Sequence, residues 1–172
     1  YANELKINFY KLFINQNIFN TYENLFHDLK IHIANFVPTP LSSALATLNS
    51  DEKDLGSICI DLGDSTSSIV IFENNFPIFC DSINIGSRNI TNDIARGVST
   101  TKESAERLKT LYGTVLTSPS DEFEIIEVPI NSLQENQFKQ INRNTINSII
   151  KPRVEETLEL IWQKLKQYGL HK

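Results

Sequence analysis

The chain has few of the residues that mark disulfide-rich, metal-binding or nucleic-acid-binding proteins. Its 172 residues include two cysteines, three histidines and no methionine. No Cys/His spacing typical of a metal site occurs. Both cysteines lie in apolar runs, which favours buried thiols in a reducing compartment over the alternative, a disulfide between adjacent strands. No run of basic residues occurs and the net charge is −5, so we expect no general nucleic-acid binding.

Long apolar segments are also missing. No stretch approaches the ~20 apolar residues of a membrane span, and we find no signal peptide. The chain begins at Tyr1 and not at methionine, so we expect it to be a fragment of a longer protein. Its length suffices for one good core or two small subdomains.

The residues that are present are organised around the stretch 56–73, GSICIDLGDSTSSIVIFE. Two β-branched runs flank the sequence DLGDST at 61–66, which predicts two strands joined by a tight turn. An acidic residue at a strand end, followed by glycine and hydroxyl residues, suits a phosphate site, and Asp61 can hold a hydrated metal ion. Asp and Gly are also common turn formers, so an ordinary turn stays open as an alternative.

Apolar periodicity and capping residues elsewhere predict a mixed α/β chain. The expected elements lie on both sides of the central stretch, and no internal repeat is found. In chain order they are a strand at 4–14, a helix at 21–30, a strand at 31–37, a short helix at 41–48, a polar loop at 49–54, a third strand at 76–85, helices capped by Ser87 and by Thr100, a strand at 123–128, and helices at 138–150 and 152–168.

Four further motifs follow one another in an order that carries a resemblance. They are PLSSA at 40–44, GSRNITNDIA at 86–95, AERLKTLYG at 105–113 and TINSIIKPR at 145–153. With the DLGDST loop they resemble the second half of the actin/Hsp70/hexokinase ATPase superfamily, and within it the FtsA family of bacterial cell-division proteins.

The resemblance implies an α/β, actin-like (RNase-H-like) fold, present in part as a second half with an inserted small subdomain. It assigns 1–40 to a remnant of the FtsA-specific subdomain 1C, and 41–95 to subdomain 2A with the second phosphate loop. It assigns 96–172 mainly to subdomain 2B with a returning helix.

The resemblance also implies one wall of an ATP site. Asp61, Gly63 and Thr66 fall on the loop that faces the β- and γ-phosphates and Mg²⁺, and Gly86 falls where the backbone passes the ribose. The first phosphate loop and the Gly-Gly adenosine loop of the superfamily do not occur in this sequence. We therefore expect ATP and Mg²⁺ only as cofactors of a full-length protein.

A helix is expected to complete that wall. The resemblance places Glu106 and Lys109 on the helix that borders the adenosine, whereas an ordinary solvated helix face is the alternative. Thr91 and Asp93 are expected to organise a helix start and are given no ligand role.

The loop departs from the family pattern, which reads D-[IL]-G-G-G-T-[TM]-[DE]. Asp64 and Ser65 replace two glycines, and Ser68 replaces the closing acidic residue. Glycine allows close backbone approach, and a carboxylate beside a polyphosphate repels it unless a metal ion lies between them. We therefore expect a weakened ATP site and a scaffold in preference to an enzyme.

The function implied is that of a cell-division adaptor. Such a protein links the FtsZ ring to the inner face of the cytoplasmic membrane, self-associates as an actin-like filament and recruits later division proteins. Arg153 and Glu156, predicted on the exposed side of the last helix, are candidates to contact the FtsZ C-terminal peptide, with plain surface charge as the alternative. Membrane contact is expected only through a C-terminal helix that this sequence lacks.

A slow actin-like ATPase and a pilus-assembly or cell-shape relative are the alternative functions.

Overall fold

The structure is a computed structural model that describes residues 4–7, 9, 11–130 and 138–170. The helices and strands of these residues are, in chain order, α1 Gln16–Asp28, α2 Thr39–Thr47, α3 Ser50–Leu55, β1 Ser57–Leu62, β2 Ser67–Glu73, β3 Phe76–Ile83, α4 Ser87–Gly97, α5 Lys102–Tyr112, a 3-10 helix Pro119–Glu122, β4 Ile125–Pro129, β5 Phe138–Asn142 and α6 Arg143–Gln167.

The fold separates into two compact units. The first comprises Tyr1–Cys59 and Ile69–Cys80, and the second comprises Ile60–Ser68 and Asp81–Lys172. The division of the chain at residues 40 and 95 that the sequence suggested stays a prediction.

The predicted central strands are confirmed. β1, β2 and β3 form one three-stranded sheet in that order, and β2 is buried along six of its seven residues. Asn74 and Asn75 join β2 to β3 with positive φ angles of 50° and 66°, the backbone that a two-residue hairpin turn requires. The turn predicted at these two asparagines is therefore present.

The first unit has a small core and a largely exposed N-terminal part. Ala44, Val70 and Phe72 form its buried centre, and the half-buried thiols of Cys59 and Cys80 pack against them. Helix α1 contains no buried residue.

Several predictions for the N-terminal part are wrong. The described residues of 4–14 and of 31–37 form no strand, since a strand needs a hydrogen-bonded neighbour and alternating apolar residues do not supply one. Helix α1 begins at Gln16, earlier than predicted, because Asn15 Oδ1 accepts a hydrogen bond from the Asn17 amide at 2.9 Å. The predicted polar loop at 49–54 contains α3, which Asn49 and Glu52 start with a capping box.

The core of the second unit is formed by α4, α5, α6 and β4. Its buried residues are Ile94 and Val98, Ala105 and Leu108, Ile126 and Val128, and Ile146 and Ile150. Strand β4 pairs antiparallel with β5, with Ile126 opposite Ile141. Thr101, and not Thr100, caps α5, and the Thr100 hydroxyl instead donates to the Pro129 carbonyl at 2.6 Å.

The C-terminal third differs from the predicted pair of helices. Residues 138–142 form β5, and α6 then runs without a break through Pro152. Proline removes one helical hydrogen bond, but α6 buries Ile146 and Ile150 before it and Ile161 and Leu165 after it, which holds both halves in place. Leu158, predicted in the core stripe, is 48% exposed.

A buried polar group fixes the segment between α5 and β4 in the second unit. Asn147 is fully buried on α6 and donates from Nδ2 to Asp121 Oδ2 at 3.0 Å. Its Oδ1 accepts from the Thr114 amide at 3.1 Å, and Asp121 Oδ2 also accepts from the Ser118 amide at 2.9 Å. The nearly buried Asp121 carboxylate is thus hydrogen-bonded, as a buried charge requires.

Candidate functional site

The predicted phosphate loop is a tight turn between β1 and β2. The Gly63 amide donates to the Thr66 carbonyl at 3.0 Å, which closes the turn. A Cβ atom on Gly63 would lie 2.8 Å from that carbonyl oxygen, closer than real Cβ contacts allow. The turn therefore needs glycine at position 63 for steric reasons.

The start of α4 packs directly on this loop. The Ser87 amide donates to the Gly63 carbonyl and the Arg88 amide to the Asp64 carbonyl, each at 2.9 Å. A Cβ atom on Gly86 would collide with the same two carbonyl oxygens. The structure thus brings Gly86 against the Asp61–Thr66 turn, while its predicted ribose contact stays a prediction.

Asp64 is ion-paired. The Arg88 guanidinium donates through Nη2 to Asp64 Oδ2, and the Ser65 hydroxyl donates to the same oxygen at 3.2 Å. The hydrogen bond from Arg88 is the main cause that lowers the pKa of the Asp64 carboxyl, and the charge of Lys109 contributes. Both Asp64 and Arg88 remain exposed, so solvent screens the pair.

Glu106 and Lys109 form a second ion pair, which Thr91 completes. Lys109 Nζ lies 2.7 Å from Glu106 Oε2 and donates to Thr91 Oγ1 at 3.0 Å. The Thr91 hydroxyl donates to Glu106 Oε2 at 2.5 Å. Hydrogen bonds from Lys109, and secondly from Thr91, lower the pKa of Glu106.

This cluster excludes the alternative of a solvated helix face for Lys109 and extends the role expected of Thr91. Lys109 is only 17% exposed and is therefore not part of a freely solvated helix face, whereas Glu106 is half exposed. Thr91 does not act at a helix start alone, because it connects α4 to α5 through Glu106 and Lys109.

Arg153 and Glu156, the predicted partner-binding residues, lie together on α6. Arg153 Nε donates to Asp93 Oδ2 on α4 at 2.6 Å, and its Nη1 donates to Glu156 Oε2. Asp93 is the main cause that raises the pKa of Arg153. The predicted exposure is wrong for Arg153, whose side chain is 25% exposed because it bridges two helices, whereas the Glu156 side chain is 49% exposed.

The residues around the loop fit a polyphosphate in part. Arg88 and Lys109 supply positive charge near the Gly63 turn. Each of these cations is already paired with a carboxylate. Within the described ranges, no group of three or more His, Cys, Asp or Glu side chains is arranged to hold a metal ion.

Comparison with known proteins decides the family. The model of the family "Cell division protein FtsA" matches residues 58–169, which is more than half of the chain. This chain belongs to the FtsA family. The match includes the loop, α4, α5 and all of α6.

Individual FtsA proteins agree with this assignment. The chain is 34% identical over 170 residues to the cell division protein FtsA of Agrobacterium fabrum, covering 98% of this chain and 38% of that protein. It is 35% identical over 140 residues to FtsA of Bacillus subtilis, covering 81% of this chain and 31% of that protein. The chain thus spans about a third to two-fifths of the length of the FtsA relatives it matches.

Solved structures confirm the actin-like α/β fold of this FtsA-family chain. MreB5 of Spiroplasma citri bound to ADP superposes with a TM-score of 0.73 at 15% identity, covering 89% of this chain and 48% of that one. A PilM–PilN type IV pilus biogenesis complex gives a TM-score of 0.61 at 15% identity, covering 90% and 38%. At this identity the likeness concerns the fold alone.

Two partners in the site could not be found from FtsA-like motifs. Arg88 is 24 residues from Asp64, and Asp93 is 60 residues from Arg153. No periodicity or local spacing connects such residues. The GSRNITNDIA motif did contain both Arg88 and Asp93, so it pointed to the right segment without showing what its charges contact.

Proposed function

We propose that this chain is part of an FtsA-like adaptor that links the FtsZ ring to the inner face of the cytoplasmic membrane. In the intact protein it self-associates as an actin-like filament and recruits later division proteins. The observation that carries the proposal is the FtsA family match over 58–169, on an actin-like fold. None of the helices in the part of the chain that the structure describes is long and apolar enough to cross a membrane.

The nucleotide site of this adaptor is proposed to be weak. Asp61, Gly63 and Thr66 face the phosphates and Mg²⁺ of ATP, and Gly86 passes the ribose. The support is that the turn and the start of α4 form one hydrogen-bonded unit. Asp64 weakens binding because its carboxylate stands where the family pattern has glycine and already pairs with Arg88 at the start of α4.

The adenosine wall of the same site is proposed to be Glu106 and Lys109. Glu106 accepts hydrogen bonds from the ribose hydroxyls, and Lys109 places a cation near the base. In support, Lys109 is held against α4 by Thr91 and by the Ser87 carbonyl at 3.4 Å, next to the loop. A cation fixed in this way has little freedom left to lose on binding.

The partner site is proposed to be the surface of α6 around Arg153 and Glu156, which contacts the FtsZ C-terminal peptide. Asp93 orients the Arg153 guanidinium, so that a fixed donor and a half-exposed acceptor stand one helical turn apart. Such a pair suits a peptide that carries charges of both signs.

A slow actin-like ATPase is the second candidate. It is favoured by the fold neighbours, since one MreB5 structure is described as bound to ADP and another, with a TM-score of 0.70, as bound to AMPPNP. The pilus-assembly alternative is supported by the PilM fold likeness alone. The FtsA family match favours the adaptor over both.

The experiment is a titration of a labelled FtsZ C-terminal peptide into this chain, with ATP–Mg²⁺ titrated in parallel. The adaptor proposal expects saturable peptide binding that Glu156→Lys weakens about tenfold. Glu23→Lys, the same charge reversal at an exposed position on α1, is the matched control. If the chain binds ATP but does not bind the peptide, the result favours the ATPase over the adaptor.

A further inference from the structure

Asp64 and Arg88 contact each other twice, once through the backbone and once through the side chains. The Arg88 amide donates to the Asp64 carbonyl at 2.9 Å, and the guanidinium donates to the Asp64 carboxylate. The Ser65 hydroxyl also donates to that carboxylate at 3.2 Å. The Asp64 side chain is therefore held by two hydrogen-bond donors, although it remains exposed.

Two carboxylates and two cations lie around the start of α4 in the second unit. Asp64 pairs with Arg88, and Glu106 pairs with Lys109. The positive charge of Lys109 helps to lower the pKa of Asp64. The negative charge of Asp64 acts to raise the pKa of Glu106. The two pairs therefore lie close enough to interact, and their formal charges cancel.

We infer that Asp64 is an internal counter-ion that occupies Arg88 and keeps a polyphosphate from binding through it. The inference rests on the proposed assignment of the 61–66 turn as a phosphate loop. A phosphate at this turn meets two obstacles, since Arg88 must leave its carboxylate and that carboxylate then repels the ligand. A neutral residue at position 64 removes both obstacles and leaves Arg88 as a free donor.

The test measures binding of inorganic tripolyphosphate and, separately, of ATP–Mg²⁺ to the 172-residue chain and its variants. Asp64→Asn and Asp64→Ser each remove the charge. We expect both variants to bind tripolyphosphate about tenfold more tightly than the parent chain, as the release of one charged hydrogen-bond donor predicts. An equal gain for ATP–Mg²⁺ shows that the gain comes from the phosphates, and a larger one shows that the nucleoside contributes.

Three further variants separate this role of Asp64 from a general change of charge. Glu159→Gln removes one negative charge from an exposed position on α6 and is expected to leave tripolyphosphate binding unchanged. The double variant Asp64→Asn with Arg88→Gln is expected to lose the gain, because the released donor is gone. Arg107→Gln combined with Asp64→Asn keeps the gain and controls for the loss of a cation.

Hydrogen exchange at the Ser87 and Arg88 amides shows whether the loop stays attached to α4 in each variant, because both amides donate to loop carbonyls. The inference is overturned if both neutral variants keep these amides protected and bind no more tightly than Glu159→Gln. It is also overturned if the gain survives the loss of Arg88. Binding of the FtsZ peptide to the parent chain is measured in parallel. If the parent chain does not bind the peptide, the adaptor proposal is contradicted, whereas the tripolyphosphate result is unaffected.

Discussion

Arg153 on α6 donates from Nε to Oδ2 of Asp93 on α4 across 2.6 Å, although 60 residues separate them in the sequence. Both side chains are about one quarter exposed, which is unusual for charged groups in a helical face. The pair connects the first and last helices of the second unit's core, and it also fixes the direction in which the guanidinium points. One contact therefore serves packing and, in the proposed function, partner recognition.

Asp93→Asn is predicted to destabilise the chain by about 1–2 kcal/mol, because a charge-assisted hydrogen bond becomes a neutral one in a half-buried place. The measurement is urea unfolding, with Asp51→Asn as a control on the exposed start of α3. A double-mutant cycle with Arg153→Gln should show a coupling of about 1 kcal/mol or more. Additive effects would mean that the pair contributes nothing to stability.

Gly86→Ala is predicted to separate the loop from α4. Its Cβ would meet two backbone carbonyls that cannot turn away, so we expect a loss of about 1–3 kcal/mol and faster exchange of the Ser87 and Arg88 amides. Gly97→Ala on the same helix is the matched control, because its Cβ meets only the end of the Ile149 side chain. Equal effects of the two substitutions would contradict the steric explanation.

The pH dependence of Asp64 gives a separate prediction. Its pKa is held below the ordinary value of 3.8, chiefly by the hydrogen bond from Arg88. A carboxyl whose pKa is lower in the folded state stabilises the fold above its unfolded pKa, and this contribution is lost as the pH falls through the lowered folded value. An NMR titration should place the midpoint below 3.8, and Arg88→Gln should move it back upward. An unmoved midpoint in Arg88→Gln would show that the pair does not form in solution.

Asn147→Ala is predicted to be one of the more damaging polar substitutions in the second unit. It removes a donor from the buried Asp121 carboxylate and an acceptor from the Thr114 amide, so we expect a loss of about 2–4 kcal/mol. Ser148→Ala, next to it on α6 but exposed, should change stability by less than about 0.5 kcal/mol. Thermal or urea unfolding of both variants checks the difference.

The sequence predicted best what is local. The DLGDST turn between two strands, the Asn74-Asn75 turn and the helix after Gly86 all follow from residues that lie within a few positions of one another. Motif order added the actin-like fold and the family, which the comparisons confirm. Local chemistry was enough for these because turns and caps depend on neighbours in the chain.

The sequence predicted poorly what depends on distant partners. Strands were expected at 4–14 and 31–37, but alternating apolar residues form a strand only when another strand pairs with them. The sequence predicts helix at residues 138–142, which instead form β5 because β4 lies alongside them. The ion pairs of Asp64 and Arg153 depend in the same way on how α4 packs, which no spacing in the sequence records.

An NMR titration of the ¹⁵N-labelled chain with the FtsZ C-terminal peptide tests the proposed partner site on α6. The adaptor account predicts saturable shifts of the backbone amides around Arg153 and Glu156 on α6, and much smaller shifts in the 61–66 loop. Glu156→Lys should weaken the response, and the matched control Glu23→Lys should not. An absence of shifts at millimolar peptide, or shifts confined to other surfaces, would contradict the proposed partner site.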